Sequence, residues 1–417
     1  MPQTNASCPD GGISFSRRAV MGGAFGLLCL PRSALAQSSF DAWVQSFRPR
    51  ALARGISAAT YDRVMGSIQP DMKVLEQQRA QPEFTESLWQ YLYRRVSDFR
   101  IRTGRDRARE LSSLLARLER DYRVDRYTLL SVWGMESSFG DVVDNPKYMK
   151  PVFPSLAALA WREPRRRAYW EQELINALRI VERGWATPQQ MIGSWAGAMG
   201  HTQWMPEAWL NIGVDYDRNG RVSPFEVDDA LAGTARFLLQ RGRYRIGEPW
   251  GHEVAAGNDF PASVADNSTW RTAAAWQDIG IRPANGSGFS HPGARMRLWL
   301  PVRGGPAFLV GQNFLAARAY NPSSSYALAV AHLADRIRGA PPLAQLFPGA
   351  EERIPTLAEI REIQQRLTAA GYDTGGVDGR VGSDTMRAVR AFQQRAGMNP
   401  ADGYAGLELL GRLRQGG

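Results

Sequence analysis

Glu136 is the residue whose type and setting most suggest chemistry. It stands in Val132-Trp133-Gly134-Met135-Glu136-Ser137-Ser138-Phe139-Gly140, after an apolar run that predicts a helix over 127–139 with Gly140 as its C-terminal cap. A carboxyl at the end of an apolar helix, beside Trp133 and Phe139, loses solvation, and lost solvation favours the protonated form. A carboxyl that holds its proton can act as general acid toward a glycosidic oxygen. Taken alone, the segment reads more simply as a helix end with a solvated or capping glutamate.

Two further segments change that balance. Gly193-Ser194-Trp195-Ala196-Gly197-Ala198-Met199-Gly200-His201-Thr202-Gln203-Trp204-Met205-Pro206 combines small residues, which admit close packing or a ligand, with the amide of Gln203 and the stacking face of Trp204. By itself it is a small-residue packing seam. Tyr320-Asn321-Pro322-Ser323-Ser324-Ser325-Tyr326 makes a turn whose serines can cap the helix that follows. A fourth segment, Asp215-Tyr216-Asp217-Arg218-Asn219-Gly220-Arg221-Val222-Ser223-Pro224-Phe225-Glu226, follows the calcium-loop spacing at Asp215, Asp217, Asn219, Gly220 and Glu226, with the Arg221 carbonyl at the backbone position. Its donors are oxygens, so calcium is expected in preference to zinc. The alternative is a metal-free Asx turn.

These residues need elements to hold them. Leu88, Leu92, Tyr93 and Val96, then Leu111, Leu114, Leu115 and Leu118, recur at helical steps, and helices are predicted over 127–139, 169–183, 230–241 and 326–337. Gly, Pro and Asn become frequent after Gly242, and β-like runs over 296–302 and 308–310 predict a small strand-containing subdomain at 245–312. Residues 339–355 read as a Pro/Gly-rich, semi-rigid linker. The remainder, 356–417, carries two short amphipathic helices around the turn Gly375-Gly376-Val377-Asp378-Gly379. A unit of about 60 residues must be compact to hold a core.

At the N-terminus, Arg17-Arg18 precede an apolar run from Met21 to Leu30, and Ser33-Ala34-Leu35-Ala36 offers small residues for cleavage before Gln37. Residues 1–36 are therefore expected to be a twin-arginine-type signal, the alternative being an ordinary secretory signal with an arginine-rich start, and either directs the chain to the periplasm. The run is too short to span a bilayer, so no transmembrane segment is expected. Leu28 before Cys29 does not suit lipid attachment, and a lipoprotein is not expected. Both cysteines, Cys8 and Cys29, lie in this stretch, which leaves the mature chain without a thiol nucleophile or a disulfide. Removing Arg17, Arg18, Arg32 and Asp10 lowers the net charge of +10 by two. Outside the cytoplasm, that positive balance suits an anionic wall or membrane face, and no nucleic-acid partner is expected.

In this order, the three segments around Glu136, Gln203 and Tyr326 resemble the membrane-bound lytic murein transglycosylase B family of the lysozyme superfamily, over about residues 40–338. The resemblance rests on Glu-Ser-Ser-Phe-Gly, Ala-Gly-Ala-Met-Gly-x-x-Gln-x-Met-Pro and Tyr-Asn-x-Ser-x-x-Tyr-Ala-x-Ala-Val as they stand here. It implies a mainly α (α+β) fold, with a lysozyme-like helical catalytic domain at 38–338. It also implies that Glu136 is the catalytic acid and base, and that Ser194, Gln203, Trp204, Tyr320, Asn321 and Tyr326 line a glycan cleft. Trp195, His201 and Trp204 depart from the family's commoner residues. Arg165-Arg166-Arg167 matches a basic loop near the peptide stems, or is a solvated arginine run. In the calcium loop the resemblance favours Asp215, Asp217, Asn219, Arg221 and Asp229 as ligands, with Glu226 as the alternative to Asp229. Any such ion is structural, and catalysis needs no cofactor.

Residues 356–417, with Ile363-Gln364-Gln365-Arg366-Leu367 and Val377-Asp378-Gly379-Arg380-Val381-Gly382, resemble the small three-helix peptidoglycan-binding domain. The implied reaction is non-hydrolytic cleavage of the MurNAc-β-1,4-GlcNAc bond of peptidoglycan, leaving 1,6-anhydroMurNAc ends. A hydrolytic muramidase on the same fold and a non-catalytic wall-binding protein are the alternatives. Partners beyond glycan strands would be cell-wall synthesis or division proteins, which the sequence does not identify.

Overall fold

The computed structural model describes residues 39–79, 87–255, 266–302, 304–348, 353–398, 401 and 403–416; the expected signal at 1–36 lies outside them. The organising element is the helix Arg126–Ser137. From Leu129 to Phe139 every residue is buried except Glu136. A helix apolar all round has no solvent face to offer and must be central. Ser131 fixes it to the helix Ser324–Arg338 by donating to the Val330 carbonyl at 2.6 Å. Leu115, Leu118, Phe314, Leu328 and Leu333 complete this first core.

A second core is built on the antiparallel pair Val152–Arg162 and Arg167–Glu182, with Phe47, Tyr61 and Met65 from the two N-terminal helices. Met199 and Trp204 belong to this second core, whereas Trp133, Phe139 and Tyr326 belong to the first. The segment 199–204 therefore runs along the seam between the two.

The strand-containing part is a five-stranded antiparallel sheet in the order Asp266–Thr272, Arg295–Trp299, Ala307–Val310, Gly251–Ala255, Arg282–Pro283. It has its own small core of Trp276, Met296, Leu298 and Leu309. The Trp276 indole N–H donates to the Met296 carbonyl at 2.9 Å, so its one polar atom is satisfied.

The described part of the expected linker is pinned to this sheet. Ala344 and Gln345 donate their N–H groups to the Glu253 carboxylate at 2.7 and 2.9 Å, and Phe347 is buried in the first core. Proline and glycine composition suggested a semi-rigid tether; one apolar anchor and one carboxylate hold it instead.

The C-terminal helices Leu357–Ala369, Ser383–Arg395 and Leu407–Arg414 close on Ile363, Leu367, Val389, Phe392 and Leu410. Buried Gln364 accepts from Gly379 N at 2.7 Å and donates to Asp378 Oδ1 at 3.0 Å, which fixes the Asp-Gly turn. Gly379 has φ +81, a left-handed conformation that glycine adopts without strain. This unit lies against the helical body. Leu357 N donates to Asp98 at 3.2 Å, Tyr404 meets Trp89 edge-on at 4.7 Å, and Arg380 lies over Phe99 at 4.6 Å. Arg380 also pairs with Asp141, and Lys147 pairs with Asp384.

Candidate active site

Glu136 lies in the last turn of its helix, which ends at Ser137. The expected glycine cap is a longer device. Ser138, Phe139 and Gly140 all have positive φ, at 52°, 62° and 93°. This left-handed run reverses the chain so that the Phe139 ring folds back over Gly134, where any Cβ would meet the ring at 2.5 Å. Phe139 also meets Trp133 edge-on at 5.7 Å. Trp133, Gly134, Phe139 and Gly140 thus form one turn that stops the helix immediately after the glutamate. Two non-glycine residues in the left-handed region mark a backbone over-determined by its surroundings.

The segment 193–206 is a set of tight turns and bridges. Met199 and Trp204 exchange backbone hydrogen bonds at 2.9 and 2.8 Å. Gly200 is required there: it has φ +72, and a Cβ would lie 2.1 Å from the Pro224 carbonyl oxygen. Gln203 has φ +54 and turns its amide onto the Gly200 carbonyl at 2.9 Å. Ser194 accepts from Ala198 N at 3.2 Å. Trp204, expected to offer a stacking face, is only 3 % exposed. Its ring fills a slot over Gly233, where a Cβ would approach to 2.2 Å. It therefore shapes the site from behind and presents no face to a ligand.

The turn at 320–326 completes the arrangement. Ser323 caps the following helix by accepting from Tyr326 N at 3.3 Å, and partly buried Asn321 ends the preceding one. The Tyr326 hydroxyl donates to Glu136 Oε1 at 2.5 Å, and the Tyr320 hydroxyl donates to the Thr202 carbonyl at 2.7 Å. Burial, then the Glu136 charge, pushes both tyrosines above their ordinary range, so both stay protonated donors. From the helix side, Ser137 donates to the His201 carbonyl at 2.6 Å, and the Trp133 indole donates to His201 Nδ1 at 3.1 Å. Burial holds His201 below its usual range. Three segments distant in sequence thus meet at the end of the Glu136 helix, and Tyr326 reaches the carboxylate itself.

Ser137 and Arg100 share in this arrangement, and sequence reasoning missed both. Ser137 could have been noticed only as the neighbour of the glutamate, and Arg100 is one of several arginines on the helix Asp98–Glu110. Arg165, Arg166 and Arg167 are exposed, with Arg166 over the Tyr169 ring at 4.4 Å. Asp141 and Asp144, the nearest other carboxylates along the chain, are exposed, and Asp141 is engaged by Arg380.

Carboxylate oxygens of Asp215, Asp217 and Asp229 lie within 4.8 Å of one another. Asp215 accepts from Asn219 N and Gly220 N at 3.0 Å, which folds the loop around its acidic residues. Glu226 is exposed at the start of the helix Val227–Gln240 and is outside this group. Asp229 is fully buried, and burial pushes its carboxyl up to about 6. A buried carboxylate beside two others, with an all-oxygen donor set, fits a hard divalent cation. Asn219 and the Arg221 carbonyl are placed in the same loop, which touches the active-site turn where Pro224 accepts from His201 N at 2.8 Å.

Among known proteins, residues 39–335 match the family described as Transglycosylase SLT domain, and residues 356–413 match a peptidoglycan binding domain. The chain is 26% identical to membrane-bound lytic murein transglycosylase B of Escherichia coli over 219 residues, which is 52% of this chain and 58% of that protein's length. The structure is similar to that of SltB3 from Pseudomonas aeruginosa in complex with NAG-anhNAM-pentapeptide, at 40% identity and a TM-score of 0.69, covering 90% of this chain and 100% of that one. It is also similar in fold to the Escherichia coli lytic transglycosylase Slt35 in complex with calcium, at 22% identity and a TM-score of 0.59, covering 71% and 92%. Among the described residues, no helix is long and apolar enough to cross a membrane.

Proposed function

The chain belongs to the lytic murein transglycosylase family that carries a transglycosylase domain and a C-terminal peptidoglycan-binding domain, and from that premise we propose that it cleaves the MurNAc-β-1,4-GlcNAc bond of peptidoglycan without water. Glu136 acts first as acid and then as base. Its proton passes to the glycosidic oxygen, the bond to C1 of the MurNAc ring breaks, and positive charge develops at C1. The resulting carboxylate removes the proton from the C6 hydroxyl as O6 bonds to C1. The products are a 1,6-anhydroMurNAc end and a GlcNAc end with a free hydroxyl, and Glu136 regains its proton.

The observation that carries this reading is the convergence of the three segments on the end of the Glu136 helix, with the Tyr326 hydroxyl fixing one carboxylate oxygen at 2.5 Å. Two-carboxylate glycosidases use a second acid as nucleophile or as base for water. Here Asp141 is committed to Arg380, which favours a one-carboxylate reaction over a hydrolytic one. Ser194, Gln203, Tyr320 and Asn321 are proposed to border the glycan; Tyr326, as buried as Trp204, is proposed to act through Glu136, and Trp204 supports the site from the core.

We infer that Asp215, Asp217, Asn219, the Arg221 carbonyl and Asp229 hold one calcium ion, which stiffens the loop behind His201 and takes no part in bond cleavage. The C-terminal unit supplies a second attachment to the wall and so raises the local substrate concentration. We infer from this proposed substrate, and from the export signal expected at 1–36, that the protein works in the periplasm.

Mass spectrometry of muropeptides released from purified sacculi tests the reaction. Wild type should yield 1,6-anhydro ends, and Glu136→Gln should yield no product while still sedimenting with sacculi. Reducing ends in place of anhydro ends would identify a hydrolytic muramidase. Substantial cleavage by Glu136→Gln would remove Glu136 from the mechanism.

A further inference from the structure

Behind the Glu136 turn lies a half-buried cation that the reaction above does not use. Arg100 extends from the first turn of the helix Asp98–Glu110 beneath the end of the glutamate helix. Its Nε donates to the Gly134 carbonyl at 3.1 Å, its Nη2 to Ser138 Oγ at 3.1 Å, and its Nη1 to the Arg94 carbonyl at 2.9 Å. Each of these bonds ends on a neutral oxygen. Lost solvation first, and then the like charges of Arg95, Arg94 and Arg380, hold it down to about 9. It remains a cation at neutral pH.

This is an expensive arrangement. Drawing a charge partly out of water, with no carboxylate as its hydrogen-bond partner, costs free energy. A cation at a helix C-terminus recovers up to about 2 kcal/mol from the helix dipole. Departures of this kind from stable design concentrate at functional sites. The contacts indicate what the departure achieves. Arg100 holds residues 134 and 138, one on each side of Glu136, while His201 holds residues 133 and 137 through the Trp133 indole and the Ser137 hydroxyl. The helix end is thus gripped on two faces, and Glu136 is the residue between the grips. A rigid, planar guanidinium fork can fix two acceptors at once, which a lysine ammonium cannot do with the same geometry.

We propose that Arg100 is a positioning residue for the reaction assigned to Glu136: it sets the angle at which the helix end presents the carboxylate to the glycosidic oxygen. The inference rests on the function proposed above. Loss of the grip lowers turnover and leaves wall binding intact, because the C-terminal unit and the cleft walls are untouched.

The test uses the full chain, with wild type, Glu136→Gln, Arg100→Met and Arg100→Lys assayed side by side well below their melting temperatures. The readouts are kcat and KM on soluble glycan-strand fragments, together with sedimentation with sacculi. A misplacement of about 1 Å costs roughly a hundredfold in rate, so Arg100→Met should lose about ten- to a hundredfold in kcat. Its KM and sacculus binding should stay within about twofold, and Arg100→Lys should recover part of the loss. A folded Arg100→Met with wild-type kcat, beside an inactive Glu136→Gln, overturns the positioning role alone. Activity in Glu136→Gln would instead overturn the functional reading. Should Arg100→Met fail to fold, Ser138→Ala decides: it removes one of the three acceptors, and roughly a three- to tenfold fall in kcat at constant KM supports the proposal. An unchanged kcat in Ser138→Ala overturns it.

Discussion

The Tyr326 hydroxyl donates a 2.5 Å hydrogen bond to Oε1 of Glu136 across 190 positions of sequence. Tyr326 is itself only 3 % exposed, and its helix is held against the glutamate helix by the Ser131–Val330 bond. Donor and acceptor are therefore set by two packed helices, and neither side chain has to be ordered when substrate arrives.

Tyr326→Phe keeps the ring and deletes the donor. Hydrogen bonds to charged groups contribute about 1.5–3 kcal/mol, which corresponds to roughly a ten- to a hundredfold fall in kcat. Sacculus binding and the melting temperature should change little. Steady-state kinetics on glycan fragments measure the effect, and a kcat within twofold of wild type would show that Tyr326 does not orient the acid.

Calcium should stabilise the protein without changing its chemistry. A ligand present at about a hundred times its dissociation constant adds about 2.7 kcal/mol to the folded state, enough to raise the melting temperature by a few degrees in a chain of this size. EDTA should reverse the rise. Asp217→Ala, at an exposed position, should abolish the calcium response while leaving the metal-free melting temperature near that of wild type. A melting temperature indifferent to calcium in the wild type argues for a metal-free turn.

The parts of the fold legible in sequence were those encoded locally. The apolar run before Glu136, the serine cap at Ser323 and the Asp378-Gly379 turn all depend on residues a few positions apart. Trp204 was misjudged because its slot is made by Gly233, on another helix, and an aromatic among small residues looks the same whether it faces a ligand or a core. Arg100 was invisible for a related reason. Arg102, Arg105, Arg107 and Arg109 follow it on the same helix, and only tertiary contacts reveal that Arg100 is the one that reaches the end of the glutamate helix. The docking of the linker's described part, through Phe347 and the Glu253 carboxylate, was not legible because composition registers only its Pro and Gly.

Glu173 provides a pH-dependent test of the second core. It is 3 % exposed, accepts from Glu207 N at 2.9 Å, and is pushed up to about 7, chiefly by burial and further by the Glu207 charge. Arg241, which pairs with Glu207, and the Asn176 amide oppose the shift. The folded state therefore retains a proton that the unfolded chain releases near pH 4.5, and stability falls as pH rises from about 4.5 to about 7. The cost is fully present above that window and absent below it. At 1.36 kcal/mol per pKa unit it amounts to roughly 3 kcal/mol. Glu173→Gln removes the charge and keeps an oxygen for the Glu207 N–H. Its melting temperature should equal that of wild type at pH 4.5 and exceed it by several degrees at pH 8. Other titrating groups cancel in the difference between the two proteins, so an offset constant across this range would show that Glu173 does not titrate on unfolding.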